Sequence, residues 1–133
     1  MKKKPSPNLA LERRKQRTLH KLGSNHPVCV LCGESDWRCL EAHHVGQEAY
    51  DHLTVILCRN CHRKASDAQW DHPGRIDDQT PSLLECIGHV LLGLADFFAL
   101  LVGRLREFGL ALIERAKAEF AAQAGSTAPA REG

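Results

Sequence analysis

The sequence predicts an α+β fold, in which a small strand–strand–helix unit lies between a basic N-terminal helix and a long apolar C-terminal helix. Three observations predict it. Two Cys-x2-Cys pairs, Cys29/Cys32 and Cys58/Cys61, stand 25 residues apart, the spacing of ligands for one metal ion. Between them, two short runs alternate in the manner of strands. From Leu84 to Leu112, apolar residues recur at steps of three and four, the period of a helix face.

The chain has 133 residues, enough for one small domain and an appendage. Its parts are expected at 1–24 (basic arm and helix), 25–72 (the cysteine-bearing domain), 73–81 (linker), 82–122 (long apolar helix) and 123–133 (disordered tail). Residues 1–7 read as a disordered basic tail. A helix is expected from about Asn8 to Leu22. Asn8 can cap it, Leu9, Leu11, Leu19 and Leu22 supply its apolar positions, and Gly23 stops it.

Net charge is only +2, but residues 1 to 22 hold eight Lys or Arg against the single Glu12. A concentrated basic arm suits a polyanion, because neutralising phosphates releases counterions. Arg13, Arg14, Lys15 and Arg17 are the candidate nucleic-acid contacts there. The plain alternative is a solvated helix face. Lys2, Lys3 and Lys4 are followed by prolines rather than by an apolar core, so no secretory leader is read and a cytoplasmic setting is expected.

In a reducing compartment, paired cysteines are ligands sooner than disulfides. A two-residue spacer lets both sulfurs of a pair reach one tetrahedral ion. Four thiolates close the shell, the pattern of structural Zn²⁺. Cys29, Cys32, Cys58 and Cys61 are the expected ligands, with Cys39 a weaker candidate for a fifth. Gly33 follows the first pair, where a turn needs positive φ. Cys86, like Cys39, reads as a packed free thiol. Chance cysteines in a small core are the alternative. A redox pair fits less well, because neither pair opens a helix after a strand in a βαβ pattern.

Arg38, Leu40, Ala42 and His44 alternate with Cys39, Glu41 and His43, which suits a short strand. Leu53–Leu57 suits a second, and Arg59–Gln69 reads as a helix carrying Cys61 and His62. Adjacent strand residues point to opposite sides, so His43 and His44 are expected to differ in role. A histidine that titrates near neutral pH can take a proton from water. A divalent ion can neutralise charge developing on a phosphate.

The order Cys-x2-Cys, His43-His44-Val45, then Leu57-Cys58-x2-Cys61-His62 resembles the HNH endonucleases, a ββα-metal nuclease family. The resemblance covers residues 29 to about 65, roughly a quarter of the chain. It implies a zinc-stabilised ββα-metal domain that hydrolyses phosphodiester bonds in DNA, or less readily RNA. It also implies that His44 is the general base and that His43 and His62 hold a catalytic divalent ion such as Mg²⁺, Mn²⁺, Ni²⁺ or Zn²⁺. The sequence departs from the family at the asparagine that orients the base. Leu53 holds that position, preceded by Asp51 and His52, so Asp51 or His52 is expected to substitute by bonding His44 or by binding the ion. Arg59, Arg63 and Lys64 flank the site as candidate phosphate contacts. The alternative is a catalytically inactive, zinc-stabilised nucleic-acid-binding module. His20, His26, His72 and His89 read as ordinary polar residues, and Trp37, Tyr50 and Trp70 as local core or lid.

The C-terminal helix is expected to start at Ser82 as cap. Leu84, Ile87, Leu91, Leu94, Phe98, Leu101, Leu105, Phe108 and Leu112 form a heptad seam, flanked by small residues at Gly88, Ala95, Val102, Gly109 and Ala116. Such a seam can form a homodimer, parallel or antiparallel. It can instead pack back on the domain, or meet a membrane. Glu85, His89 and Asp96 argue against a spanning helix, since each is costly at membrane depth. For Asp96 the sequence offers no functional reason.

Overall fold

The computed structural model describes residues 7–126. The order is α1 (Pro7–Leu22), a single 3₁₀ turn (Trp37–Cys39), β1 (Leu40–His44), β2 (Thr54–Cys58), α2 (Arg59–Gln69) and α3 (Leu83–Ser126). The described residues form a mixed α and β fold with one two-stranded sheet. The chain divides into two units, Met1–Leu100 and Leu101–Gly133.

Helix α1 begins at Pro7, one residue before the expected cap, so Asn8 lies inside the first turn. A proline tolerates that first position because its missing N–H would have no partner there. The helix stops at Gly23, which has φ +68°. Gly23 N–H donates to His20 O at 3.2 Å and Ser24 N–H to Leu19 O at 3.3 Å, a paired closure that needs a residue tolerant of positive φ. Leu19 is buried, and α1 packs on the 3₁₀ turn and β1.

The strands pair antiparallel, with Leu40 opposite Cys58 and His44 opposite Thr54. The loop between them closes through Val45 N–H to Leu53 O at 3.0 Å. Leu57 and Val45 are fully buried, and Ala65 of α2 is also buried.

The first half of α3 packs against that loop. Ser82 caps the helix, its Oγ accepting from Glu85 N–H at 3.2 Å. A Cβ on Gly93 would stand 1.6 Å from Val45 O, and one on Gly46 would stand 2.7 Å from Val90 Cγ2, so helix and loop touch backbone to backbone. The Tyr50 and His89 rings stack at 3.7 Å. His72 and His89 are therefore not ordinary surface residues: His89 is buried in this contact, and His72 Nε2 donates to Asp96 Oδ2. Asp96 thus has the partner that was missing from the sequence, and Glu85 accepts from Ile76 N–H at 3.1 Å. Trp70, by contrast, is 86% exposed and is not core.

Helix α3 passes the expected end at residue 122 and runs to Ser126, so residues 123–126 are helical. Residues 1–6 and 127–133, most of the two expected disordered tails, lie outside the described residues. An 18-residue window of α3 has mean hydropathy 2.0 and is 11% buried, so the helix is long and apolar enough to cross a bilayer.

Candidate metal centre and the groove beside it

The first cysteine pair sits on a knuckle. Gly33 N–H donates to Cys29 O at 2.9 Å, and Gly33 takes φ +78°, as its place after the pair requires. Val30 N–H donates to Ile56 O at 3.1 Å, which ties the knuckle to β2. The second pair spans the junction of β2 and α2. Cys58 caps α2, its sulfur accepting from Cys61 N–H at 3.4 Å.

These elements bring four sulfurs together. The Sγ atoms of Cys29, Cys32, Cys58 and Cys61 all lie within 4.8 Å of one another, and those of Cys32 and Cys58 are 3.6 Å apart. A tetrahedral ion with metal–sulfur bonds near 2.3 Å sets its sulfurs about 3.8 Å apart, so the cluster can hold a metal such as zinc. Burial works to raise the Cys29 thiol, but backbone N–H groups at Cys58, Cys32 and Leu31 outweigh it and bring the group down to about 7. Burial and the crowding of neighbouring sulfurs push Cys61 up. A dication in the centre removes that conflict, because it favours all four thiolates at once. Cys39 lies on the 3₁₀ turn as a half-buried free thiol outside the cluster, so it is not a fifth ligand here.

Strand β1 carries Glu41 and His43 two residues apart, on one face, and both meet His62 of α2. The His43 and His62 rings lie 5.1 Å apart, edge to face. His62 Nδ1 lies 2.6 Å from Glu41 Oε2, so the carboxylate accepts and the Nε2 lone pair is left for a ligand. Burial, then the nearby His62 and His44, hold His43 down at about 4, so its imidazole is neutral at pH 7. Among the described residues, the four cysteines form the only group of three or more metal-ligating side chains this close together.

His44 follows on the other face of β1 and is half-buried. Its backbone carbonyl accepts from Gln69 Nε2 at 3.0 Å. Asp51 and His52 do not bond it. Asp51 Oδ1 accepts from His52 N–H at 2.8 Å, and the His52 side chain is exposed. Leu53 is exposed as well.

A groove of about 570 Å³ opens beside Glu41, between α1, the 3₁₀ turn and β1. Its wall carries four cations, Arg14, Lys21, Arg38 and Arg59. Arg59 Nε reaches Glu41 Oε1 at 3.3 Å, and Arg38 is held by Asp36 at 2.7 Å. Of the basic residues named from the sequence, Arg14 and Arg59 line this groove. Arg13, Lys15, Arg17, Arg63 and Lys64 do not; of these, Lys15 is half-buried and the rest are exposed.

Sequence reasoning missed Glu41 and Arg38 as site residues and left Lys21 as one charge among many. The spacing of Glu41, two before His43 on a strand, was the available signal for a shared face. No family model matches the chain, and no curated protein or solved structure matches it.

Proposed function

We propose that the chain is a metal-dependent HNH-type endonuclease that hydrolyses phosphodiester bonds in DNA. The observation that carries this reading is the Glu41–His62–His43 constellation, whose Glu41 also lines a groove walled by four cations. In this reading the four cysteines hold structural Zn²⁺ and do no chemistry. They staple α2 to β2 and the knuckle, so that His62 is set against β1.

The roles follow from the side chains. Arg14, Lys21, Arg38 and Arg59 attract and position the phosphate backbone. His43, kept neutral by burial, and His62, oriented by Glu41, are ligands for a second divalent ion. That ion, when bound, neutralises charge at the scissile phosphate. His44 accepts the proton of the attacking water.

The experiment is plasmid nicking with Mg²⁺, Mn²⁺, Ni²⁺ or Zn²⁺, comparing the native chain with His44→Ala and His62→Ala. Metal-dependent nicking that both substitutions abolish supports the reading. No cleavage with any of these ions, by a chain that still binds DNA, sinks it. That outcome favours the second reading, an inactive zinc-stabilised nucleic-acid-binding module. One observation speaks for that module: among the described residues neither Asp51 nor His52 hydrogen-bonds His44, so neither stands in for the asparagine that orients the base in the resembled family.

A further inference from the structure

Helix α3 is apolar on two sides, and only one side is covered. The covered side carries His89, Val90 and Gly93 against the β1–β2 loop. The polar residues of the first half belong to that side too, since Glu85 and Asp96 find partners at Ile76 and His72. The opposite side is bare. Leu84, Leu91, Phe98, Leu105 and Leu112, one per heptad, are between 54% and 82% exposed.

Between these large residues stand small ones at the same seven-residue interval: Gly88, Ala95, Val102, Gly109 and Ala116. Large and small residues therefore alternate at steps of four and three along one face. The chain's own fold does not use the small ones. A Cβ at Gly88 or Gly109 would meet nothing within 4 Å, whereas one at Gly93 would collide with Val45. A glycine inside a helix costs about 1 kcal/mol against alanine, so two of them in open space await an occupant.

We propose that this face is the seam of an antiparallel two-helix coiled coil between two copies of the chain. Two facts select a second copy running in the opposite direction. First, the pattern is self-complementary only that way. Turned about a two-fold axis at Leu100, Leu84 faces Ala116, Gly88 faces Leu112, Leu91 faces Gly109, Ala95 faces Leu105 and Phe98 faces Val102. Every layer then sets one large side chain against one small one, giving uniform volume and close helix approach. A parallel pair would stack large on large and glycine on glycine. Second, each of these ten residues finds a partner of the opposite size in that one register. This inference does not depend on the nuclease reading.

The test is sedimentation of the full-length, zinc-loaded chain in detergent-free buffer. The native chain is expected to be a dimer at ~10 µM. Ala95→Leu overpacks against Leu105 of the partner, and Leu105→Ala leaves a void there. Each is expected to weaken the dimer at least about tenfold, since the layer occurs twice. The double variant A95L/L105A exchanges large for small within the same layers and is expected to return to within about threefold of native. In a parallel dimer those two positions never meet, so the exchange would not rescue. A helical monomer at ~100 µM, a dimer indifferent to the single changes, or a double variant no better than the singles would overturn the seam. So would uptake by phosphatidylcholine vesicles with no dimer in water, which would give the face to lipid.

Discussion

Glu41 and His62 are joined across the β1–α2 packing by a 2.6 Å contact between Oε2 and Nδ1. A carboxylate on one ring nitrogen fixes the tautomer and makes the other nitrogen a better ligand. On the proposed nuclease reading, replacing Glu41 by Gln is therefore expected to lower metal-dependent nicking about 10- to 100-fold, with most of the loss recovered at higher metal concentration. A metal titration of the nicking rate checks this. An unchanged metal dependence would remove Glu41 from the site.

The cysteine cluster makes a separate prediction. Cys58 is buried, caps α2 and belongs to both strand and helix. Cys58→Ser is expected to lose the structural ion and most of the fold, because metal-binding free energy in such a small domain is folding free energy. Mass spectrometry under native conditions should find one zinc per native chain in this cluster and none in the variant. A strong chelator should melt the helical circular dichroism of α2 and leave that of α3 largely intact, since much of α3 lies outside the first unit.

Acid should destabilise the domain through His43. Its value falls from 6.5 unfolded to about 4 folded, mainly by burial. The unfolded chain therefore binds the extra proton between those values. Stability is full above about pH 6.5 and declines as pH drops toward 4, by at most about 3 kcal/mol. Denaturant titrations across that range, with no added divalent ion, should show the slope. The His43→Gln variant should show a flatter one.

The contact between α3 and the β1–β2 loop rests on a missing side chain. Gly93→Ala would put a methyl group 1.6 Å from Val45 O, so backbone must move. A loss of about 3 kcal/mol is expected, at the upper end for overpacking. Gly88→Ala meets open space and should be neutral or stabilising in the monomer. Thermal melts of the two variants side by side make the comparison.

Local chemistry made much of this protein legible in its sequence. Cys-x2-Cys spacing implied the four-sulfur cluster because a two-residue turn leaves few other ways to place two thiols. Alternation located both strands, and Gly23, Ser82 and Gly33 each marked a helix end or a turn, since their backbone needs are local. That α3 is a long apolar helix was equally plain, because periodicity is a property of the chain.

Only tertiary structure decided which residues meet. Glu41 became a partner of His62 when α2 packed on β1, a contact between residues 21 apart. His72 and Asp96, 24 apart, became a pair when α3 docked. That docking also chose which stripe of α3 is spent within the chain, because Gly93 can approach Val45 and a larger residue cannot. Periodicity says that a helix has apolar faces. Packing says which of them is already covered, and so which one remains for a partner.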